Sequence, residues 1–169
     1  MQGQKPALRK FMSEVEGTCI DTSWYGDGSA SEFTLVDADD LLGFAYLLKT
    51  NYFNKKTVKL GADIAVNTGD SSAWAETAPE VTWPINGTTY FMGTLDGQGH
   101  TISGLYAKDT RSVGLFSRTA KECTIRNLVL KNSYFESVFR VAGISGEGAG
   151  TIESVYCDAI ISAKDSAST

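Results

Sequence analysis

Thr101-Ile102-Ser103-Gly104-Leu105-Tyr106-Ala107, Thr124-Ile125-Arg126-Asn127-Leu128-Val129-Leu130 and Thr151-Ile152-Glu153-Ser154-Val155-Tyr156-Cys157 are three versions of one heptapeptide. The shared pattern is Thr-Ile-x-x-Leu/Val-x-apolar, and the copies begin 23 and 27 residues apart. A repeat of roughly 20–30 residues is the signature of a solenoid, in which stacked coils bury a core that no coil buries alone. A solenoid also supplies a long rigid face, often used for display or binding.

Within each copy the Ile, the Leu or Val three residues on, and the apolar residue two further must share an inner face. A flat strand puts positions three apart on opposite faces. The chain therefore has to bend between them, and Gly104, Asn127 and Ser154 stand at the bend. The β-branched Thr before each Ile suits a stacked parallel ladder. Gly97 and Gly99 precede the first copy, Gly114 the second, and Gly143, Gly146, Gly148 and Gly150 the third, where sharp corners need positive φ. Short strands, glycine corners and this period predict an all-β fold, a parallel β-helix. Cys157 holds the last inward position of its copy and is expected to be a buried thiol.

Upstream, residues 57–66 alternate apolar and polar, with a corner at Gly61, and predict a half-buried strand pair. Phe33 and Leu35 alternate like a short strand. Between these lies the clearest helix, over residues 37–49. Asp37 is placed to cap it, with Asp40 three residues on, and the acids suit the positive end of the helix dipole. Leu41, Leu42, Phe44, Ala45, Leu47 and Leu48 make it apolar on most of its circumference, so it has to be covered. An open solenoid end is an edge that pairs with other chains. The helix is therefore expected to plug the N-terminal mouth. The C-terminal end shows no equivalent cap, and self-association through the last coil is expected there.

Residues 1–20 read as a leader, with Leu8, Phe11, Met12 and Val15 predicting a short helix over 5–16. Residues 21–163 form the capped β-helix, expected to be a piece of a longer solenoid, and residues 164–169 a polar tail. The chain has 169 residues, 42% of them hydrophobic, which suits one domain with a real core. Its net charge of −5 and lack of a basic stripe argue against nucleic acid as a partner. No run of about 18 apolar residues is present to insert in a membrane. Met1-Gln2-Gly3-Gln4-Lys5-Pro6 lacks the apolar stretch of a signal peptide. Cys19, Cys123 and Cys157 have no CxxC spacing, and their pairing stays open.

The runs Asp37-Ala38-Asp39-Asp40-Leu41-Leu42-Gly43-Phe44-Ala45 through Thr57-Val58-Lys59-Leu60-Gly61-Ala62-Asp63-Ile64, and Phe91-Met92-Gly93-Thr94-Leu95-Asp96-Gly97-Gln98-Gly99-His100-Thr101-Ile102, resemble the N-terminal cap of large bacterial surface proteins with GLUG-type repeats. Gly114-Leu115-Phe116-Ser117 and Gly143-Ile144-Ser145-Gly146 look like two degenerate GLUG elements. The resemblance spans residues 21–163. It implies a right-handed parallel β-helix and a secreted or cell-surface, adhesin-like protein. It carries no catalytic residues, cofactor or metal to transfer.

The residues themselves offer little chemistry. His100, the single histidine, sits in Asp96-Gly97-Gln98-Gly99-His100 without a nucleophile motif, so a corner is expected there. The outward residues Ser103, Arg126 and Glu153 are not an acid cluster of the kind a glycosidase needs. Asp37, Asp39 and Asp40 fit helix-start electrostatics better than a calcium loop. Trp24, Tyr25, Trp74 and Trp83 are the candidate ligand-binding residues, because sugars stack on exposed aromatic rings. Trp74, among Ser72, Ala73, Ala75 and Glu76, is the one expected to be exposed. A non-catalytic adhesion or spacer module touching host or plant polysaccharide is the leading expectation. An N-terminal piece of a β-helical polysaccharide lyase or hydrolase, and a pure scaffold, stay open beside it.

Overall fold

The computed structural model describes residues 11–12, 19–85, 87 and 89–165. Two short strands, β1 (Phe11–Met12) and β2 (Cys19–Ile20), pair antiparallel. Phe11 and Met12 are thus extended where a helix was expected. The rest of that expected helix, and residues 166–169 of the tail, lie outside the described residues.

From residue 32 the chain winds as a β-solenoid of about five turns. Strand β3 (Glu32–Leu35) opens it, followed by helix α1 (Ala38–Leu47). The next coil holds β4 (Thr57–Leu60), β5 (Ile64–Ala65) and β6 (Tyr90–Phe91). The third holds β7 (Thr94–Asp96), β8 (Thr101–Ser103), β9 (Tyr106–Asp109), β10 (Ser112–Val113) and β11 (Phe116–Thr119). The fourth holds β12 (Thr124–Ser137), β13 (Arg140–Val141) and β14 (Ser145–Gly148). Strand β15 (Thr151–Ala163) is the last among the described residues.

All solenoid pairings are parallel. One ladder runs Glu32, Thr57, Thr94, Thr124, Thr151, and its inward neighbours are Phe33, Val58, Leu95, Ile125 and Ile152. The heptapeptides at 124 and 151 stand in register. The copy at 101 does not. Thr101 faces Val129, and the true partner of Thr124 is Thr94. The coil contains several short strands with the same Thr-apolar-polar start, because each needs an inward apolar residue flanked by outward polar ones. Thr94-Leu95-Asp96 and Thr101-Ile102-Ser103 look alike for that reason.

The expected bends are present. Asn127 and Ser154 have φ of 50° and 52°, so each coil turns at the same height. A second corner stacks Gly104 (φ 77°) against Asn132 (φ 46°), joined by the Gly104 N–H to the Asn132 carbonyl at 3.0 Å. A Cβ on Gly104 would lie 2.2 Å from the Asn67 carbonyl oxygen, so only glycine fits. These two corners let β12 run as one 14-residue strand over three strands of the coil beneath.

Helix α1 plugs the coil as expected. The Asp37 carboxylate accepts from the Asp40 N–H at 3.0 Å, and Asp40 in turn accepts from the Val36 N–H at 2.9 Å. Burial pushes the Asp40 carboxyl up, against the pull of that Val36 N–H. Phe44 is fully buried and meets Phe53, Phe91 and Phe116 edge-on, with centroids 5.0, 5.6 and 6.1 Å away. On the other side the chain at Asp21 crosses the helix so closely that a Cβ on Gly43 would stand 1.9 Å from the Asp21 oxygen. Covered by the coil core and by this crossing, the helix is apolar nearly all round.

Cys157 corrects an expectation. It stacks on Leu130 as the repeat predicts, and its Sγ lies over Gly143, yet the residue is exposed. Along the inward ladder, Ile125 is 1% exposed and Ile152 56%. Among the described residues no further strand lies over β15, so inward positions there have no lid. All three cysteines are free thiols. Burial raises Cys123 to about 12 and also raises Cys157.

Candidate functional site

Three surfaces bear on function: the outward ladder of the first sheet, the predicted aromatics, and an aromatic stripe on another face. The outward ladder reads Lys59, Asp96, Arg126, Glu153, one residue per coil and alternating in sign. Asp96 is only 2% exposed. Its carboxylate takes the Arg126 Nε at 2.8 Å, the Asn127 amide at 3.1 Å and the Gln98 N–H at 3.0 Å. Burial pushes its pKa up, but the Gln98, Asn127 and Arg126 donors outweigh this and bring it from 3.8 to about 2. A carboxylate held ionised so firmly is a poor general acid. It works as the bracket that fixes the Asn127 corner.

His100 stands at a corner, as expected. Its Nδ1 lies 3.2 Å from Asp63 Oδ1, which also accepts the Thr101 N–H at 2.9 Å. The Thr101 N–H and then His100 lower the Asp63 pKa. Among the described residues no three His, Cys, Asp or Glu side chains gather as a metal site, and no helix is long and apolar enough to cross a membrane.

The four predicted ring residues divide between three places. Trp24 and Tyr25 sit together, half-buried, with centroids 5.8 Å apart, and pack on Phe33 and Phe53 beside α1. Trp83 is buried in the main core and donates its indole N–H to the Leu115 carbonyl at 3.1 Å. Trp74 is 5% exposed, not the open ring expected. It stands edge-on to Tyr106 at 6.2 Å, and Tyr106 stacks on Tyr134 at 5.9 Å. The polar insertion folds back over these tyrosines because amides on the coil hold it. Asn67 donates to Val81 and Gly104 carbonyls at 2.7 and 2.8 Å, and Asn132 donates to the Gly69 carbonyl and accepts the Ser71 N–H. Trp74 still lines a cleft of about 440 Å³ with Asp70, Pro79 and Glu80.

Another aromatic stripe lies elsewhere, with Tyr52 exposed and Tyr90 half-buried. Tyr90, Arg118 and Glu147 form a ladder across β6, β11 and β14. Tyr52, 52% exposed, meets Tyr90 edge-on at 6.1 Å. The Arg118 guanidinium lies 5.8 Å over the Tyr90 ring and 3.5 Å from Glu147, which Arg140 also holds at 2.5 Å. A shallow groove of about 440 Å³ runs along this stripe, between Tyr90, Arg118, Lys121, Glu122 and Glu147. Aromatic faces beside guanidinium and carboxylate groups suit sugar rings and their hydroxyls. A sequence signal for the stripe existed: its members are 28 and 29 residues apart, the coil spacing, but finding it needs the correct register.

The chain is 28% identical over 159 residues to Halomucin of Haloquadratum walsbyi, a mucin by its name. That match covers 88% of this chain and 2% of Halomucin, so the chain spans a small part of that protein's length. No protein-family model matches the chain, and no solved structure matches it.

Proposed function

We propose that this chain is a non-catalytic structural module of a secreted or cell-surface protein, a rigid spacer within a longer array. One observation carries the reading: the five-rung ladder from Glu32 to Thr151 is uninterrupted, with an inward apolar residue beside each rung. Such a core resists bending because each coil is held by its neighbours. The likeness to Halomucin supports a surface setting. The elements at Gly114 and Gly143 stack, with the Leu115 N–H donating to the Gly143 carbonyl at 3.0 Å, which supports a GLUG-type kinship. An antibody to the chain is expected to label intact cells of the source organism. Labelling only after permeabilisation overturns the surface reading. Release of reducing ends from polysaccharide overturns the non-catalytic one.

A second reading adds adhesion through glycans. The stripe of Tyr52, Tyr90 and Arg118 favours it, in place of the four ring residues that the sequence suggested. On a glycan array the chain is expected to retain a polysaccharide that Tyr90→Ala loses. Equal retention by the variant, or none by the parent chain, removes this reading.

A further inference from the structure

Among the described residues one edge of β15 is unpaired, and it carries a charge pattern as well as an apolar one. Its inward residues Ile152 and Ile161 are 56% and 44% exposed, and Cys157 is exposed between them. Its outward acids Glu153 and Asp158 end two ladders. Below Glu153 stands Arg126, and below Asp158 stands Lys131. The first ladder alternates Lys59, Asp96, Arg126, Glu153. In the first, a cation is the residue that continues the alternation; in the second, Lys131 stands over uncharged Ser103, and a cation above Asp158 would repeat the Lys131–Asp158 pairing.

We propose that the β15 edge receives a parallel β-strand with a Lys or Arg opposite Glu153 and opposite Asp158, and with apolar residues over Ile152, Val155, Cys157 and Ile161. This deepens the spacer reading and rests on it. The strand that already lies against β15 on its other side has that chemistry. In β12, Arg126 and Lys131 face the two acids, while Ile125, Leu128, Leu130 and Phe135 meet the apolar positions. The occupant is a strand of β12 type adding by main-chain hydrogen bonds, with pockets and charges setting its register. A second copy of the β15 edge is the poorer fit, because joining two such edges brings Glu153 and Asp158 of each into one interface, and like charges facing across strands repel.

A peptide with the sequence of Thr124–Ser137, tagged for fluorescence anisotropy, tests this against the intact chain. Its partner probe has Arg126→Glu and Lys131→Glu. The first peptide is expected to bind roughly tenfold or more tightly than the second, since two exposed ion pairs become two repulsions. Glu153→Gln with Asp158→Asn in the protein should remove that difference. Placement has its own readout. The peptide with Leu130→Cys, activated as a mixed disulfide with thionitrobenzoate, should transfer to the Cys157 thiolate and release one thionitrobenzoate, leaving Cys123 unlabelled. Equal binding of both peptides overturns the charge selection while leaving the spacer reading intact. Binding of neither, labelling away from Cys157, or a stable dimer of the chain by sedimentation overturns the docking proposal. The cell-labelling and reducing-end tests judge the spacer reading separately.

Discussion

Removing the Phe44 ring should open the N-terminal mouth of the solenoid. The ring is fully buried and meets rings of three different segments, at Phe53, Phe91 and Phe116. Phe→Ala in a core costs about 3–5 kcal/mol, the lost transfer energy plus the cavity. Each edge-to-face pair adds about 0.5–1.5 kcal/mol beyond burial, which places Phe44→Ala toward the upper end, about 4 kcal/mol. With a urea m-value of about 2 kcal/mol/M, the midpoint moves down by about 2 M. Far-UV circular dichroism follows the sheet, and indole fluorescence follows Trp24, which lies beside Gly43 of the helix, and Trp83 in the main core. Tyr46→Ala on the same helix, at a position 51% exposed, is the control and should shift stability by less than about 0.5 kcal/mol. A Phe44→Ala midpoint within about 0.5 M of the parent would refute the plug.

Three other substitutions test separate joints. Asp96→Ala should cost about 2 kcal/mol at neutral pH, from the lowering of its pKa from 3.8 to about 2. That contribution is fully present above the ordinary carboxylate pKa and is lost as pH falls through about 2. Parent and variant stability curves should therefore converge in strong acid, and a constant gap down to pH 2 contradicts the bracket. Asn132→Ala breaks both amide contacts to the insertion and leaves a non-Gly residue at φ 46°. It should cost about 2 kcal/mol and speed thermolysin cleavage within residues 67–81, with Asn132→Gly recovering roughly half of the stability but not the protection. Gly43→Ala drives a Cβ against the Asp21 carbonyl and should cost about 1–3 kcal/mol by thermal unfolding. A neutral result there places the residue 19–25 segment off the helix.

The fold was legible wherever a residue's role depends on local chemistry. Asp37 caps α1, Gly61 ends β4, and Asn127 and Ser154 take the left-handed corners their repeat positions require. Register was less legible. Thr101 copies the Thr-Ile of Thr124 but belongs one strand further round the coil, since every strand of a coil repeats the same inward-outward alternation. Burial depended on what lies above. Cys157 occupies an inward position on which none of the described residues is stacked as a further strand, so its pattern predicts its direction and not its exposure. Trp74 shows the opposite case: its polar neighbours suggest solvent, but long-range amide contacts from Asn67 and Asn132 fold them over Tyr106 and Tyr134. The Tyr52–Tyr90–Arg118 stripe joins residues from three coils, and no local pattern in the chain marks it.

The stacking of β7 on β12 is the central claim, and disulfide trapping reads it directly. In a background of Cys19→Ser, Cys123→Ala and Cys157→Ser, two double variants are compared: Thr94→Cys with Thr124→Cys, and Thr101→Cys with Thr124→Cys. Ladder neighbours stand about 4.8 Å apart, within the Cα separation a disulfide accepts. The 94–124 pair should oxidise readily to an intramolecular disulfide and the 101–124 pair should not, because Thr101 lies opposite Val129. Ready closure of 101–124 with none at 94–124 would contradict the register on which the whole solenoid rests.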